Sequence, residues 1–483
     1  MTTFAAALAN VDTSVATGNT ANGAAALATS NSTLTDLFFT IGSARGKDIT
    51  AQFENAVSTD PWKAITMLFW ARDVRGGAGE RDTFRKLLRV LSTARPDLTS
   101  KVISLIPEYG RWDDLAVFET EPLRGQALAV WAAAIRAHHG LACKWAPRKG
   151  ELANALRKIL RLDPKGYRKL VVGGTAVVEN HMCAREWDNI NYSHVPSVAG
   201  ARYQKAFNRR DPVRYAEFKA AALKGDAKIN AGALYPYDVI KSVRSGDPSA
   251  ALAQWEALPN YLGDEGFILP LVDTSGSMQT PVGGQQGKSK LSCLDVAVSL
   301  GLYLADKQKG AFANMFLNFD SDSKIHQLKG NLLEKLHQIQ NCDWGGSTNL
   351  ESAFKEILRV AVIGRVPSEE MPRYLLVLSD MGFNPTSHNA NQTAFEFAQH
   401  MFARHGYALP KIVWWNIAYR EGGYGGDRNY PVSADQAGTA LVSGFSPAIM
   451  RSVLSSKSVT PWDVMIETLN QPRYQAVRDA LSA

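Results

Sequence analysis

The chain has 483 residues, of which 45% are apolar and 20% charged, which describes a folded protein of two or three domains and excludes a disordered or fibrous class. No apolar run reaches the ~18 residues that cross a bilayer, so no membrane partner is expected. The net charge of +7 is unevenly placed: residues 144–228 hold 18 Lys+Arg against 8 Asp+Glu, whereas residues 265–483 hold 19 against 20.

Residues 1–33 are rich in Ala, Thr, Asn and Ser and carry no charge after Asp12, a composition that predicts a flexible start. No basic stretch precedes an apolar one there, and Cys143, Cys183, Cys293 and Cys342 lie far apart, so a reducing, cytoplasmic setting is expected. Residues 34–259 read as a helical domain. Asp60 and Pro61 open a helix as N-cap and first residue, and the glycines of Gly76-Gly77-Ala78-Gly79 break it. Phe84, Leu87, Leu88 and Leu91 then recur at helical spacing. Further helices follow near Leu98–Leu105 and Gln126–Ala137, with Gly110-Arg111-Trp112-Asp113-Asp114-Leu115 opening one between them. Many short helices with little strand signal suggest an α-solenoid of the HEAT or armadillo kind.

The basic segment lies inside this domain. Lys144, Arg148, Lys149, Arg168, Lys169, Arg202, Lys205, Arg209, Arg210 and Arg214 are interleaved with Trp145, Tyr167, Tyr203, Phe207 and Tyr215. Cations among aromatics can hold phosphates while bases stack on the rings. The plainer alternative is a solvated helix face whose aromatics point into the core.

From about residue 260 the pattern alternates strand and helix, as a parallel α/β sheet requires. The apolar run Phe267–Val272 ends in Asp273-Thr274-Ser275-Gly276-Ser277, and the run Tyr374–Leu378 ends in Ser379-Asp380. Between them, Trp344-Gly345-Gly346-Ser347-Thr348-Asn349 opens a helix with Asn349 as its cap, and Glu421–Asp427 forms a glycine-rich loop expected near the same face. Asp273, Ser275, Ser277, Thr348 and Asp380 would then converge beyond the carboxyl ends of the strands, where open α/β sheets bind ligands. Carboxylate and hydroxyl oxygens suit a hard divalent ion, Mg²⁺ first, with Mn²⁺ or Ca²⁺ as alternatives. Taken singly, the Asp-Thr-Ser-Gly-Ser loop is equally an ordinary polar turn or an aspartic-protease-like motif.

These five residues match the metal-ion-dependent adhesion site of the von Willebrand factor A fold, which the second half resembles. In the first half, Arg72–Arg81, Tyr109–Leu115, Lys144–Pro147 and Glu186–Ala199 resemble signature stretches of the TROVE superfamily, and above all a branch of unassigned function found in plants, bacteria and phages. Its better-known members, the Ro autoantigen proteins, close a ring of helical repeats with an A domain and bind Y RNAs and RNA ends. The resemblance implies an α-helical HEAT-like domain at 34–259, open or closed into a ring, and a doubly wound A domain at 260–483. It implies a monomeric, noncatalytic protein that binds small noncoding or structured RNA. The competing reading is an interaction module whose ion recruits an acidic protein without RNA. A hydrolase is disfavoured because a single hydroxyl-bound ion has no general base that the sequence identifies.

Overall fold

The computed structural model describes residues 17–20, 22–245, 248–282, 291–342, 346–385, 393–418, 430–456 and 459–483. Within it the chain forms two units, one of residues up to Thr59 with Tyr261–Thr468, the other of Asp60–Asn260 with Leu469–Ala483.

In the first unit β1 (Thr17–Asn19) and β2 (Ala25–Leu27) pair as an antiparallel hairpin. A second sheet contains β3 (Ile268–Asp273), β4 (Met315–Phe319), β5 (Ile325–Gln327), β6 (Tyr374–Ser379), β7 (Lys411–Asn416) and β8 (Thr439–Ser443) in the order β5-β4-β3-β6-β7-β8. Its pairs are parallel except β4 with β5. Every residue of β3 and β6 is buried, which is why both read as unbroken apolar runs rather than alternating strands. The helices Leu350–Gly364 and Ala394–Arg404 cover one face, packing Phe354, Ile357, Phe395 and Phe402 against Leu271, Leu317, Val377 and Trp414. The helix Cys293–Lys307 packs on β3, and there it runs unusually close: a Cβ on Gly301 would lie 2.4 Å from Val272 Cγ2. Val272 is β-branched and cannot swing aside, so Gly301→Ala should cost about 1–3 kcal/mol through forced repacking. A melting temperature within a degree of wild type would show that the helix shifts freely.

The helix Thr33–Ile41 belongs with the sheet and not with the helical domain, contrary to the boundary expected at residue 34. Residues Leu34, Leu37, Phe38, Phe39 and Ile41 of the helix Thr33–Ile41 are all buried, too apolar a surface for one exposed flank. Ser443 of β8 donates to Phe38 O at 2.7 Å, and Asn416 of β7 donates to Phe39 O at 3.1 Å. Residues 17–33 are likewise ordered contributors rather than a loose start. Leu27 and Tyr430 exchange backbone hydrogen bonds of 2.8 and 3.2 Å, and Ala434 N–H donates to Ser30 O at 2.7 Å.

The helical unit carries no strand among its described residues. Asp60 caps the helix Pro61–Arg72 by accepting from Lys63 N–H at 3.0 Å. The quoted stretches of this half lock into each other. Buried Asp114 accepts from Arg72 Nε at 2.8 Å, Arg85 Nε at 2.5 Å and Arg111 N–H at 2.8 Å. Arg111 in turn lies 3.9 Å over the Trp145 ring. Asp73, also buried, accepts from the Arg473 guanidinium and from Tyr474 OH, so the chain's last fifteen residues complete this unit rather than the sheet. Beside this network burial raises Asp113, but its bonds to Arg111 and Arg85 outweigh that and hold it below the usual carboxylate range.

Candidate functional site

The strand order reverses direction of progression between β3 and β6, and such a switch point opens a crevice at the carboxyl ends of the strands. Asp273 ends β3 on one side of it and Asp380 follows β6 on the other. The local chain explains how each side chain is aimed. Ser275 N–H donates to Asp273 Oδ1 at 2.9 Å, folding the loop back on itself, and the short helical turn Gly276–Gln279 then sets Ser275 Oγ 2.9 Å from Ser277 Oγ. Asn349 caps the helix Leu350–Gly364 by accepting from Ser352 N–H at 3.1 Å, and Thr348 precedes it. Thr348 Oγ1 lies 2.8 Å from Gly382 O, which is two residues beyond Asp380, and Gly382 N–H donates to Asp380 Oδ1 at 3.1 Å. The five predicted residues thus occupy neighbouring loops at the carboxyl ends of the central strands. Trp344 and Gly345 of the threonine loop, and the Glu421–Asp427 loop, lie outside the described residues.

Three participants escaped the sequence reading. Ser379 donates its hydroxyl to Asp273 Oδ2 at 2.5 Å; its place before Asp380 at a strand end was the available signal. Asn384 sits 3.1 Å from Thr348 Oγ1 and donates to Ser347 Oγ at 3.0 Å. Asn22 reaches the same hydroxyl from the hairpin, and nothing in its local sequence announces that.

The electrostatics fit a divalent ion. Asp273 is fully buried, and that burial, followed by the negative charge of Asp380, pushes its carboxyl up to about 7. Its hydrogen-bond donors, Ser275 and the Ser379 hydroxyl, are neutral. A divalent cation would relieve both the burial and the repulsion, and the three hydroxyls would complete an all-oxygen set around it. Among the described residues no three His, Cys, Asp or Glu side chains cluster as a metal group, so any site here depends on those hydroxyls. A cavity of about 460 Å³ adjoins Asp380, lined also by Asp36, Gln52, Asn55, Asn416 and Tyr430.

A pH dependence follows. The unfolded reference for Asp273 is 3.8 and the folded value about 7. Stability from the neutral carboxyl is therefore complete below about 4 and lost as pH rises through about 7 in chelator-treated protein. An ion needs the carboxylate, so protection by Mn²⁺ should grow over the same window. Melting curves with chelator and with excess Mn²⁺, between about pH 5 and 8, should diverge as pH rises. In Asp273→Asn both the slope and the protection should vanish; protection that ignores pH would place the ion elsewhere.

The basic segment divides into two kinds of cation. Arg148, Lys149, Arg168, Lys169, Arg202, Lys205, Arg209 and Arg210 are exposed. Arg214, expected on the RNA face, is instead a structural clasp: it donates to Trp187 O at 2.8 Å and Ile190 O at 2.9 Å and pairs with Asp211 at 2.9 Å. Lys144 is bound to Glu179 at 2.9 Å. Three of the five aromatics, Tyr167, Phe207 and Tyr215, are buried and take no part in a stacking platform. Tyr192, Phe207 and Tyr215 make one buried cluster with ring centroids 4.9–5.3 Å apart, and Tyr167 is buried with its hydroxyl on Pro147 O at 3.0 Å. Their spacing reflects a core-facing stripe, which alternation with cations disguises.

Two family models match the chain. One, a domain of unknown function designated DUF7788, covers residues 268–478, and another, DUF2828, covers residues 146–267. Their junction falls at the first residue of β3. An uncharacterized protein of Acanthamoeba polyphaga mimivirus is 26% identical over 511 residues, which span 93% of this chain and 86% of that protein.

Proposed function

We propose that this is a noncatalytic RNA-binding protein of the Ro type. The helical unit holds phosphates of a small noncoding or structured RNA, and a divalent ion occupies the crevice between Asp273 and Asp380. The observation that carries the proposal is a set of exposed cations between Arg148 and Arg210, among them Arg148, Lys149, Arg168, Lys169, Arg202, Lys205, Arg209 and Arg210, and none of these named residues is ion-paired with a described residue. Charge concentrated this way raises the free energy of the folded protein alone and is relieved by a polyanion. Because Tyr167, Phe207 and Tyr215 are buried and Trp145 and Tyr203 are only half-buried, recognition runs through phosphates and shape more than base stacking. The same proposal includes the finer architecture, HEAT-like repeats followed by a von Willebrand factor A domain. The position of β3 at the switch point of the sheet, with Asp273 at its end, supports it.

A second reading, a module that recruits an acidic protein through the ion, is favoured by the site having only two carboxylates among its described residues, which neutralise a bound Mg²⁺ without excess negative charge and leave coordination positions open to a partner's carboxylate. No catalytic role is assigned to the ion, since activating water needs a base beside it and both carboxylates serve as ligands.

The distinguishing measurement is the 260/280 nm absorbance ratio of protein purified at low salt, followed by filter retention of a labelled hairpin RNA across a salt series. Co-purifying nucleic acid and affinity that falls steeply with salt are expected. Protein free of nucleic acid and unable to retain RNA at ~50 mM salt would favour the second reading.

A further inference from the structure

The N-terminal hairpin supplies a residue to the crevice. Its turn is fixed by Gly23 N–H donating to Thr20 O at 2.8 Å and by Ala24 N–H donating to Thr20 Oγ1 at 3.0 Å, while Thr20 Oγ1 donates to Phe383 O. Gly23 has φ +92°, a backbone that other residues rarely adopt, which places Asn22 at the tip. From there the Asn22 carboxamide donates to Thr348 Oγ1 at 3.0 Å and to Gly382 O at 2.6 Å. One NH₂ group therefore bridges the loop of Thr348 and the loop of Asp380.

The consequence lies in how a hydroxyl divides its bonds. Thr348 Oγ1 has one proton and two lone pairs. The acceptors beside it, Gly382 O at 2.8 Å and Asn384 Oδ1 at 3.1 Å, take the proton, and the Asn22 N–H takes one lone pair. A single lone pair remains, in a fixed direction, on the hydroxyl of a residue that is 1% exposed. Without Asn22 the rotor is held on one side only. We infer that Asn22 is a positioning residue of the metal site: it fixes the Thr348 hydroxyl as a ligand and ties the Asp380 loop to it. This rests on the metal reading proposed above, and it makes a segment distant in sequence part of the site.

Partners that orient a ligand typically contribute 10–100-fold in metal affinity. Asn22→Ala should therefore weaken Mn²⁺ binding roughly tenfold, measured from free Mn²⁺ by electron paramagnetic resonance. Water-proton relaxation should show an additional water on the bound ion, replacing the hydroxyl. Asn22→Gln, which keeps an NH₂ group, should recover part of the affinity. Asn22 is exposed, so the chelator-treated melting temperature should be unchanged. Wild type binding Mn²⁺ with Asn22→Ala binding equally well would overturn the inference and leave the metal reading intact. Weaker binding accompanied by an equal loss of metal-free stability in both variants would also overturn it, since the hairpin would then be merely structural. No Mn²⁺ binding by wild type at millimolar concentration would remove the metal reading and the inference together.

Discussion

Asp114→Ala should lower the stability of the helical unit by about 3–5 kcal/mol, the effect of stripping one partner from a buried ion pair. At this size that corresponds to a fall of roughly 6–20 °C in melting temperature. The carboxylate is inaccessible, and it accepts from Arg72, itself 5% exposed, from Arg85 and from the Arg111 backbone. Alanine leaves the Arg72 guanidinium buried without its counter-charge and the start of the turn Trp112–Val117 without its acceptor. Asp114→Asn retains an acceptor and should cost less. Arg72→Met combined with Asp114→Asn should cost less than the sum of the two single changes, because the stranded charge is gone. The measurement is urea unfolding followed by far-UV circular dichroism. A loss under ~1 kcal/mol for Asp114→Ala would mean that water reaches Arg72.

This network changes what the motifs of the first half mean. Arg72 and Asp73, Asp113 and Asp114, and Trp145 sit in three separate stretches, yet they meet in one set of contacts, joined from the far end of the chain by Arg473. Their residue types are dictated by packing and charge satisfaction inside the helical unit. They speak for the architecture, whereas the ligand has to be argued from exposed residues such as Arg209.

The sheet was legible because burial on both faces turns a strand into an uninterrupted apolar run that ends at a polar residue, as Leu269–Asp273 and Leu375–Asp380 do. The caps Asp60 and Asn349 were legible for an equally local reason. Strand β8 was not foreseen: Thr439–Ser443 is short, and its place depends on pairing with Trp414 and Trp415 of β7. The helix Thr33–Ile41 was legible only as helical pattern, and its attachment to β7 and β8 rests on contacts about four hundred residues apart in the chain. Asn22 was invisible, since its role arises from a turn closed by Gly23 and from a threonine more than three hundred residues away. The aromatic residues of the basic segment left two readings open because a helical stripe and an interleaved binding face share one spacing, and for Tyr167, Phe207 and Tyr215 the core-facing one holds. Phe207 is inside and Lys205 outside on the same helix.

Replacing Arg202, Lys205 and Arg209 together with Glu should abolish most RNA binding at low salt. These positions are three and four apart on the helix Ser197–Arg210, so they share one face, and all are exposed. Buried Gln204 and Phe207 of the same helix face the core, and Arg214, being a clasp on Trp187 and Ile190, is left untouched so that the fold is retained. Each lost phosphate contact should flatten the plot of log affinity against log salt by ~0.7–0.9 units, so three should flatten it by roughly two to three. Asp273→Ala lies in the other unit and removes no cation, so its slope should match wild type. Filter retention of a labelled hairpin RNA from ~50 to ~300 mM salt measures all three proteins. Equal slopes for wild type and the triple variant would sink the basic face as the RNA footprint. Loss of binding in Asp273→Ala alone would transfer the ligand to the crevice, because only a bound ion could then be holding the phosphate.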